Sequence, residues 1–408
     1  MKKVEAKGTG IKDRGPRASF SCSFAAGSRR LLLIVVACYC LPVAAVYPEA
    51  GKSGGYFFRV IQSPRASAMG ESGAGLSGDL LGALALNPAA LGRTRYRELA
   101  VTYNSWLEDI SMQQVAYAHP LSKTSALAVS VSLLQMKSFA GYDSFGGYAG
   151  SVKAGDSAYS LSYAKRVYGP WDDLRFGIFI GGGVKYAREV LDEFSASTLL
   201  YDVGVLSISE LFGGVLGLGV SAQSLGQGFK FNSVRDAPPS VQRAGAAWTI
   251  PVWGDPLTLA VDLKKPNDDK AAYLAGLEYM IKDLVSGRVG YAGDVDLGNG
   301  LRFGIGFNLK VVQIDYALSK YGDFGYTHRF GISYKFGKPV EVTPHFTPRQ
   351  EKARWKLARA KEFIKERSYY EAVLELNDAV ELDPNLKEAM RLMEYARGMM
   401  ETENPGAR

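Results

Sequence analysis

Residues 301–309 read Leu-Arg-Phe-Gly-Ile-Gly-Phe-Asn-Leu, and large apolar side chains alternate with small or polar ones along this stretch. A period of two residues places the apolar side chains on one face of a β-strand and the others on the opposite face. Four further stretches alternate in the same way: 127–133, 159–164, 257–264 and 312–319. The pattern predicts a sheet with one apolar face and one face of small and polar residues.

The alternation covers most of the middle of the chain and predicts about 14 strands. Most of them are 9–12 residues long, which is the length that a tilted strand needs to cross a bilayer. The predicted strands are 97–104, 110–119, 125–136, 157–166, 173–188, 197–207, 212–224, 241–250, 256–264, 271–280, 284–293, 300–309, 311–319 and 326–336.

Two architectures are compatible with these strands. The apolar face points inward in a soluble sandwich, whereas in an outer-membrane barrel it meets lipid and the polar face lines the lumen. The polar face here is rich in Gly, Ser and Ala, which favours a crowded lumen, and an even strand count is compatible with the closure that lipid demands. Aromatic residues also gather at strand ends, as at membrane interfaces: Tyr103, Trp106, Tyr168, Trp171, Trp248, Trp253, Tyr321 and Tyr326.

We therefore predict a mainly β fold. It is an antiparallel transmembrane β-barrel of about 14 strands, spanning 97–337, with an N-terminal plug helix and a small C-terminal α-helical domain that resembles a tetratricopeptide repeat (TPR). In the last strand, Gly331, Tyr334 and Phe336 follow a polar residue at the spacing of a terminal-strand assembly signal. Outer-membrane lipid and the barrel-assembly machinery are the partners that this pattern implies.

Composition sets the two ends of the chain apart. The 408 residues carry a formal net charge of +7, of which +6 lies in residues 1–45. That segment has a basic start, an apolar run at 31–45 and small residues at its end, so we predict a signal peptide cleaved after Ala45; a retained anchor and lipidation at Cys38 are the alternatives. Because the basic excess belongs to the export segment, we expect no nucleic-acid partner.

Residues 46–337 hold 40 of the 46 glycines. Within them, 46–96 are not strand-like and are predicted to form a plug or hatch segment. An apolar helix is expected at Asp79–Leu86, with Ser77 as its cap and with its end marked by Asn87, Pro88 and Ala89. A helix packed under the barrel rim is the alternative to a plug.

The last 71 residues hold 13 basic and 13 acidic residues and only two glycines. We predict a linker at 338–350 and a TPR-like helical domain at 351–408, with a third helix at 386–400. The packing and breaker positions of the repeat are Ala360, Phe363, Tyr369, Ala372, Leu376, Ala379 and Pro384. A secreted or periplasmic protein bound through 351–408 is the partner that this tail suggests, and a charged hairpin packed on the rim is the alternative.

Four short motifs give the chain a family resemblance. Ala66–Gly70, Asn87–Leu91, Trp106–Ile110 and Ala116–Pro120, in this order, resemble the PorV/PorQ family, which is itself similar to FadL, the long-chain fatty-acid transporter. The resemblance implies a 14-stranded outer-membrane barrel with an N-terminal segment in its lumen, acting in protein secretion or envelope assembly. A FadL-like transporter with a hydrophobic ligand in the lumen is the alternative, and the tail departs from the PorV pattern.

No catalytic constellation stands out in the sequence. His119, His328 and His345 lack a partnering motif, and neither a phosphate loop nor metal-ligand spacing is present. We expect no enzyme activity, no cofactor and no metal.

The state of the lumen separates the two functional hypotheses. A lumen that is packed solid would count against uptake of a hydrophobic molecule. An apolar tunnel, or a gap between strands near 125–165, would count against a pure scaffold role.

Overall fold

A closed antiparallel barrel of 14 strands forms the body of the protein. The computed structural model describes residues 53–169, 176–231, 234–293, 298–340, 348–384 and 386–403. In chain order the barrel strands are β1 (Arg97–Ser105), β2 (Ile110–Ser122), β3 (Ser125–Met136), β6 (Ala154–Tyr168), β7 (Gly177–Leu191), β8 (Phe194–Leu211), β9 (Gly214–Gly226), β12 (Val241–Val252), β13 (Asp255–Pro266), β14 (Ala272–Ile281), β15 (Val285–Ala292), β16 (Leu301–Leu309), β17 (Val312–Lys320) and β18 (Tyr326–Phe336).

The first and last strands close the barrel. Arg97 pairs with Phe336 at one end of the β1–β18 ladder, and Ser105 pairs with His328 at the other. Because the number of strands is even, both ends of the barrel lie on one rim, which we call the terminal rim. The opposite rim is called the far rim.

The two rims differ in their connections. On the terminal rim, five of the six connections between strands are turns of two or three residues, and the sixth, 169–176, has eight. The five short turns are 123–124, 212–213, 253–254, 282–284 and 310–311. The far rim carries the longer connections 137–153 and 227–240, which contain the hairpins β4 (Phe139–Tyr142)–β5 (Tyr148–Val152) and β10 (Lys230–Phe231)–β11 (Val234–Arg235). Short turns on one side and long loops on the other are typical of outer-membrane barrels, whose short turns are periplasmic.

The wall has an apolar outer face and a small or polar inner face. In β1, Leu99, Val101 and Tyr103 point outward and are exposed, whereas the residues between them are buried against the lumen: Glu98, Ala100, Thr102 and Asn104. Eleven of the other barrel strands also expose large apolar side chains, whereas those of β9 and β12 are partly buried. An outward apolar belt is the arrangement of a barrel that faces lipid, and the sandwich alternative is wrong.

The predicted strands agree with the observed ones to within about three residues at nearly every end. Two aromatic residues differ from their predicted place: Trp106 and Tyr321 turn into the barrel mouth, where their rings meet edge to face at 5.0 Å. Both are drawn inward by cations, since Arg329 lies over the Trp106 ring and Arg302 over the Tyr321 ring. Trp171 lies outside the described residues.

The N-terminal segment 53–96 contains four short helices. They are a 3-10 helix at Tyr56–Arg59, α1 (Pro64–Ala68), α2 (Leu80–Leu86) and a second 3-10 helix at Pro88–Arg93. The cap of α2 is Asp79, whose carboxylate accepts a hydrogen bond from the Leu81 amide at 3.1 Å. The prediction of Ser77 as the cap is wrong, because Gly78 turns the chain between Ser77 and the helix.

Glycines on the inner wall let the N-terminal backbone approach it closely. A Cβ atom added to Gly219 would overlap the Ala74 carbonyl oxygen, and one added to Gly290 would overlap the Gly70 amide nitrogen. The same closeness to segment 64–90 is found at Gly181, Gly204, Gly217, Gly276, Gly304 and Gly331. The glycine excess of 46–337 is therefore in part a contact surface for this segment.

Three helices follow the barrel: α3 (Pro348–Lys365), α4 (Tyr369–Leu382) and α5 (Lys387–Glu403). They share an apolar core of their own, in which Leu357, Ala360, Leu376 and Ala396 are buried. None of the helices in the described part of the chain is both long and apolar enough to span a membrane.

Replacing Gly219 with Ala should destabilise the folded protein by about 1–3 kcal/mol, because the added methyl group overpacks the wall against Ala74. The measurement is the temperature at which the fast-migrating folded band is lost from unboiled gel samples. Gly287→Ala is the matched control, since a Cβ atom there meets nothing within 4 Å. Equal melting temperatures for the two variants would contradict the assignment.

Candidate functional site

The N-terminal segment passes through the barrel from the far rim to the terminal rim. Ser53 bridges Ala237, and its amide donates to Asp268 at 3.2 Å, so the segment begins at the far-rim loops. It then contacts lumen-facing residues and continues into β1 at Arg97, on the terminal rim. Residue 53 therefore lies at the opposite rim from the end of β18, where the tail begins.

Glu71 is the centre of a buried ion cluster that joins this segment to the wall. Its carboxylate lies 2.9 Å from Lys264 Nζ, 2.8 Å from Arg302 Nη1 and 3.7 Å from Arg243 Nη2. Arg243 also donates to the Glu71 backbone oxygen at 3.0 Å. All four side chains are at least nine-tenths buried, so charges from β12, β13 and β16 converge on one residue of the segment.

A second buried cluster holds α1 against the same side of the wall. Arg65 contacts Glu278 through two parallel hydrogen bonds of 2.8 and 2.6 Å, which is the strong bidentate form of this pair. Arg288 bridges Glu278 at 2.6 Å and Asp315 at 2.5 Å. Strands β14, β15 and β17 are thereby tied to one arginine of the segment.

Hydrogen bonds to the backbone fix the middle of the segment. Asp262 accepts from the amides of Gly73 and Ala74, both at 2.9 Å. Asn87 donates to the carbonyl oxygens of Ala74 at 2.8 Å and Val205 at 3.0 Å, and it accepts from the Ala89 amide at 3.1 Å. The Asn87 side chain therefore links the end of α2 both to the wall, at Val205, and to the preceding loop, at Ala74.

The opposite side of the lumen carries an apolar patch. Helix α2 and the 3-10 helix after it pack Leu80, Leu81, Leu84 and Leu91 into one buried cluster with wall residues of β1, β2, β3, β6, β7 and β8. Those wall residues are Ala100, Ala116, Ala118, Ala128, Ala164, Phe179, Leu206 and Ile208. By what the segment meets there, we call β12–β18 the charged half of the lumen and β1–β8 the apolar half. The strands of the apolar half also bury Glu98, Arg166 and the Lys185–Asp202 ion pair.

Arg59 fastens the segment at the far rim. Its guanidinium lies 2.5 Å from Asp268 Oδ1, and it donates to Asn267 Oδ1 at 2.5 Å and to Ser53 Oγ at 3.2 Å. Burial alone would raise the pKa of Asp268, but hydrogen bonds from Ser53 and Arg59 together with the Arg59 charge hold it below its ordinary value. This contact is stable above the ordinary pKa of an aspartate and weakens as the pH falls through the lowered one.

A small cavity and a depression lie beside the segment. The cavity lined by Met69, Ser72, Leu76 and Leu86 measures about 20 Å³, enough for about one water molecule. A depression of about 200 Å³ opens beside Asp79, Arg93, Glu98 and Lys335, where the segment meets the terminal rim. Among the described residues, no group of three or more His, Cys, Asp or Glu side chains could hold a metal ion.

The predicted site residues are placed as follows. Ala45 lies outside the described residues. Asn87, Pro88 and Ala89 are buried in the lumen, directly after α2. Gly331 faces the lumen and lies directly against Pro64 of the N-terminal segment. Tyr334 and Phe336 stack on each other at 5.5 Å near the terminal rim. The assembly signal stays a prediction, and the contact with Pro64 gives Gly331 a packing role as well.

The tail residues meet in one core. Ala360, Tyr369, Ala372, Leu376 and Ala379 are buried, and Phe363 packs against them. Pro384 follows the end of α4 at Leu382, and it is exposed. The assignment of this core to a tetratricopeptide repeat stays a prediction.

The sequence reasoning missed both ion clusters. It did not identify Glu71 or Arg65 as a partner of the charged wall residues that surround it. A usable signal is the place of four charged residues: Arg59, Arg65, Glu71 and Asp79 lie in the segment that is predicted to fill the lumen, where a charge needs a partner of opposite sign on the wall.

Comparison with known proteins yields no family. No family model matches the chain, and no curated protein matches it. Solved outer-membrane barrels are similar at low identity. CymD, a monoaromatic hydrocarbon channel, is 12% identical with a TM-score of 0.45, covering 67% of this chain and 97% of its own. A Pseudomonas aeruginosa FadL homologue is 11% identical with a TM-score of 0.41, covering 68% and 98%.

The Pseudomonas putida toluene transporter TodX is 12% identical with a TM-score of 0.41, and the match covers 66% of this chain and 95% of TodX. Values of this size assign neither a family nor a function to this chain. The PorV/PorQ resemblance likewise stays a prediction.

Replacing Glu71 with Gln should lower the free energy that holds the N-terminal segment in the barrel by about 3–5 kcal/mol. The reason is that three buried basic groups lose the negative charge that they contact. The measurement is the rate of limited proteolysis within residues 53–96, together with the melting of the folded band. Asp109→Asn is the control: its pair with Lys137 is exposed and should be worth at most about 1 kcal/mol. Equal proteolysis of Glu71→Gln and wild type would contradict the anchoring role.

Proposed function

We propose that the chain is an outer-membrane barrel that admits a small hydrophobic molecule, and that its N-terminal segment is the plug. The outward apolar belt supports a bilayer location, and the short turns of the terminal rim favour a periplasmic position for that rim. The tail that follows β18 is then periplasmic as well.

The apolar half of the lumen is the observation that carries this proposal. A water-filled porin lines its lumen with polar side chains, whereas here the part of β1–β8 that α2 covers is a patch of five alanines, two aliphatic residues and Phe179. If α2 and the 3-10 helix withdraw, this wall is uncovered, and only an apolar ligand can cover it again without loss of hydrophobic contact. The substrate class that fits is therefore small and hydrophobic.

Passage requires movement of the plug. The lumen has no room for a ligand beside Met69, and the β3–β6 ladder pairs without interruption from Ser125–Lys165 to Gln135–Gly155. A lateral gap at 125–165 is therefore not present in this conformation. The charged half anchors Arg65 and Glu71, so the moving part is the portion that rests on the apolar half, residues 79–93.

An engineered disulfide can fix residues 79–93 to the wall. A Cβ atom on Gly92 lies 3.6 Å from the Cβ atom of Phe179 in β7, a separation at which two cysteines form a disulfide. Cys22, Cys38 and Cys40, the only cysteines of the chain, precede the expected cleavage site after Ala45. The Gly92→Cys, Phe179→Cys variant should therefore contain a single bridge.

We expect cells carrying the oxidised variant to take up the hydrophobic dye N-phenyl-1-naphthylamine more slowly than the same cells after reduction. Asn87→Ala, which removes the hydrogen bonds to Ala74 and Val205, should increase uptake above wild type. The oxidised and reduced forms carry the same substitutions, so each is the control for the other. Equal uptake in both forms and in cells without the barrel would contradict the proposal.

A protein-interaction role through 351–408 is the second candidate. Tyr370 and Leu374 form an exposed apolar pair one turn apart on α4, and they favour a partner there. The PorV/PorQ resemblance adds secretion or envelope assembly as the setting.

The test is co-purification from outer membranes, comparing the full chain with one that ends at residue 340. We expect at least one protein to be lost with the tail, and Tyr370→Ser with Leu374→Ser should lose the same protein. Identical partner sets for all three forms would contradict this role.

A further inference from the structure

Basic and acidic residues of the tail lie mainly on different helices. Helix α3 has seven basic and two acidic residues, whereas α4 has four acidic residues and no basic one. Three of the basic side chains of α3 are used within the domain: Lys356 bonds Glu375 and Asp378, Arg359 lies 3.4 Å from Glu375, and Lys361 bonds Glu388. The basic charge of α3 exceeds what these partners neutralise.

One face of α3 combines this charge with an exposed tryptophan. Trp355 is 58% exposed, Lys352 is exposed one turn before it, and the guanidinium of Arg359 lies over the Trp355 ring at 5.4 Å. Positions three and four apart share a face of a helix, so the three form one stripe. Acidic Glu362 follows on this face and limits the stripe to the first three turns.

The chain keeps this stripe close to the barrel. The Val340 amide donates to the Arg95 carbonyl oxygen at 3.0 Å, beside the start of β1 on the terminal rim. Helix α3 begins at Pro348, so seven residues separate it from Val340. Seven residues span at most about 25 Å, so the stripe is within reach of the leaflet around that rim.

We propose that the Lys352–Trp355–Arg359 stripe docks on the anionic lipid headgroups of the leaflet at the terminal rim. This inference rests on the proposed membrane location but not on passage of a ligand. Tryptophan prefers the membrane interface, lysine and arginine bind anionic headgroups, and the short tether makes the contact intramolecular. The acidic helix α4 is excluded from the contact by the same electrostatics.

The experiment uses the full mature chain in nanodiscs of zwitterionic lipid or of lipid containing phosphatidylglycerol. Trp355→Cys carries an environment-sensitive aromatic fluorophore, and Tyr370→Cys on α4, whose native side chain is 62% exposed, is the matched control. We expect blue-shifted emission at position 355 only with phosphatidylglycerol. The shift should be lost at about 1 M salt, where the Debye length falls to about 3 Å.

Lys352→Glu with Arg359→Glu should remove the shift, since each basic residue near an anionic surface strengthens binding about fivefold. A heat-modifiable folded band in both nanodiscs establishes insertion, so failure of the barrel and failure of docking are distinguishable. Identical emission at 355 in both lipids overturns the proposal, as does an equal shift at 370. A shift that appears only when a periplasmic extract is added identifies a protein partner instead and also overturns it.

Discussion

Closure of the β1–β18 ladder is the constraint on which the rest of the structure depends. Lipid offers no partners to backbone amides and carbonyls, so a sheet that spans a bilayer must have no open edge. Closure with 14 strands places Arg97 and Phe336 side by side. It also encloses a lumen whose inner residues need partners of their own. The N-terminal segment supplies those partners, because its backbone and charges meet a wall of glycines and ionised side chains.

The two halves of the lumen supply partners for the inner residues of the barrel in different ways. Against β12–β18 the segment presents Arg65 and Glu71, and each is surrounded by opposite charge. Against β1–β8 it presents the leucines of α2 to a wall of alanines. Buried ion pairs specify one position of the segment but add little net stability over apolar packing. The charged half therefore acts as an anchor, and under the proposed function the apolar half is the part that a ligand would cover.

The sequence predicts the barrel well and the lumen poorly, for physical reasons. A period of two residues is a local property of the sequence. The strands at 301–309 and 326–336 can therefore be predicted without knowing which strands they pair with. The ion clusters join residues far apart in the chain: Glu71 and Arg302 are 231 positions apart, and nothing local marks either as a partner. The hairpins β4–β5 and β10–β11 are missed because strands of two to five residues carry too few periods.

The position of Ser53 at the far rim gives the segment a direction. Its fixed contacts run in sequence from Arg59 at the far rim, through Arg65 and Glu71 in the charged half, to Asn87 over the apolar half. The ion pairs precede α2, and Asn87 is the polar contact that follows it at the wall of β8. Release of residues 79–93 therefore breaks apolar contacts, the hydrogen bonds of Asn87 to the wall and to Ala74, and those of Asp79 with Ser63 and of Arg93 with Ser77. It leaves the ion pairs of Arg59, Arg65 and Glu71 intact. Movement confined to residues 79–93 would therefore leave the anchor in place and would uncover the apolar half from the terminal rim first.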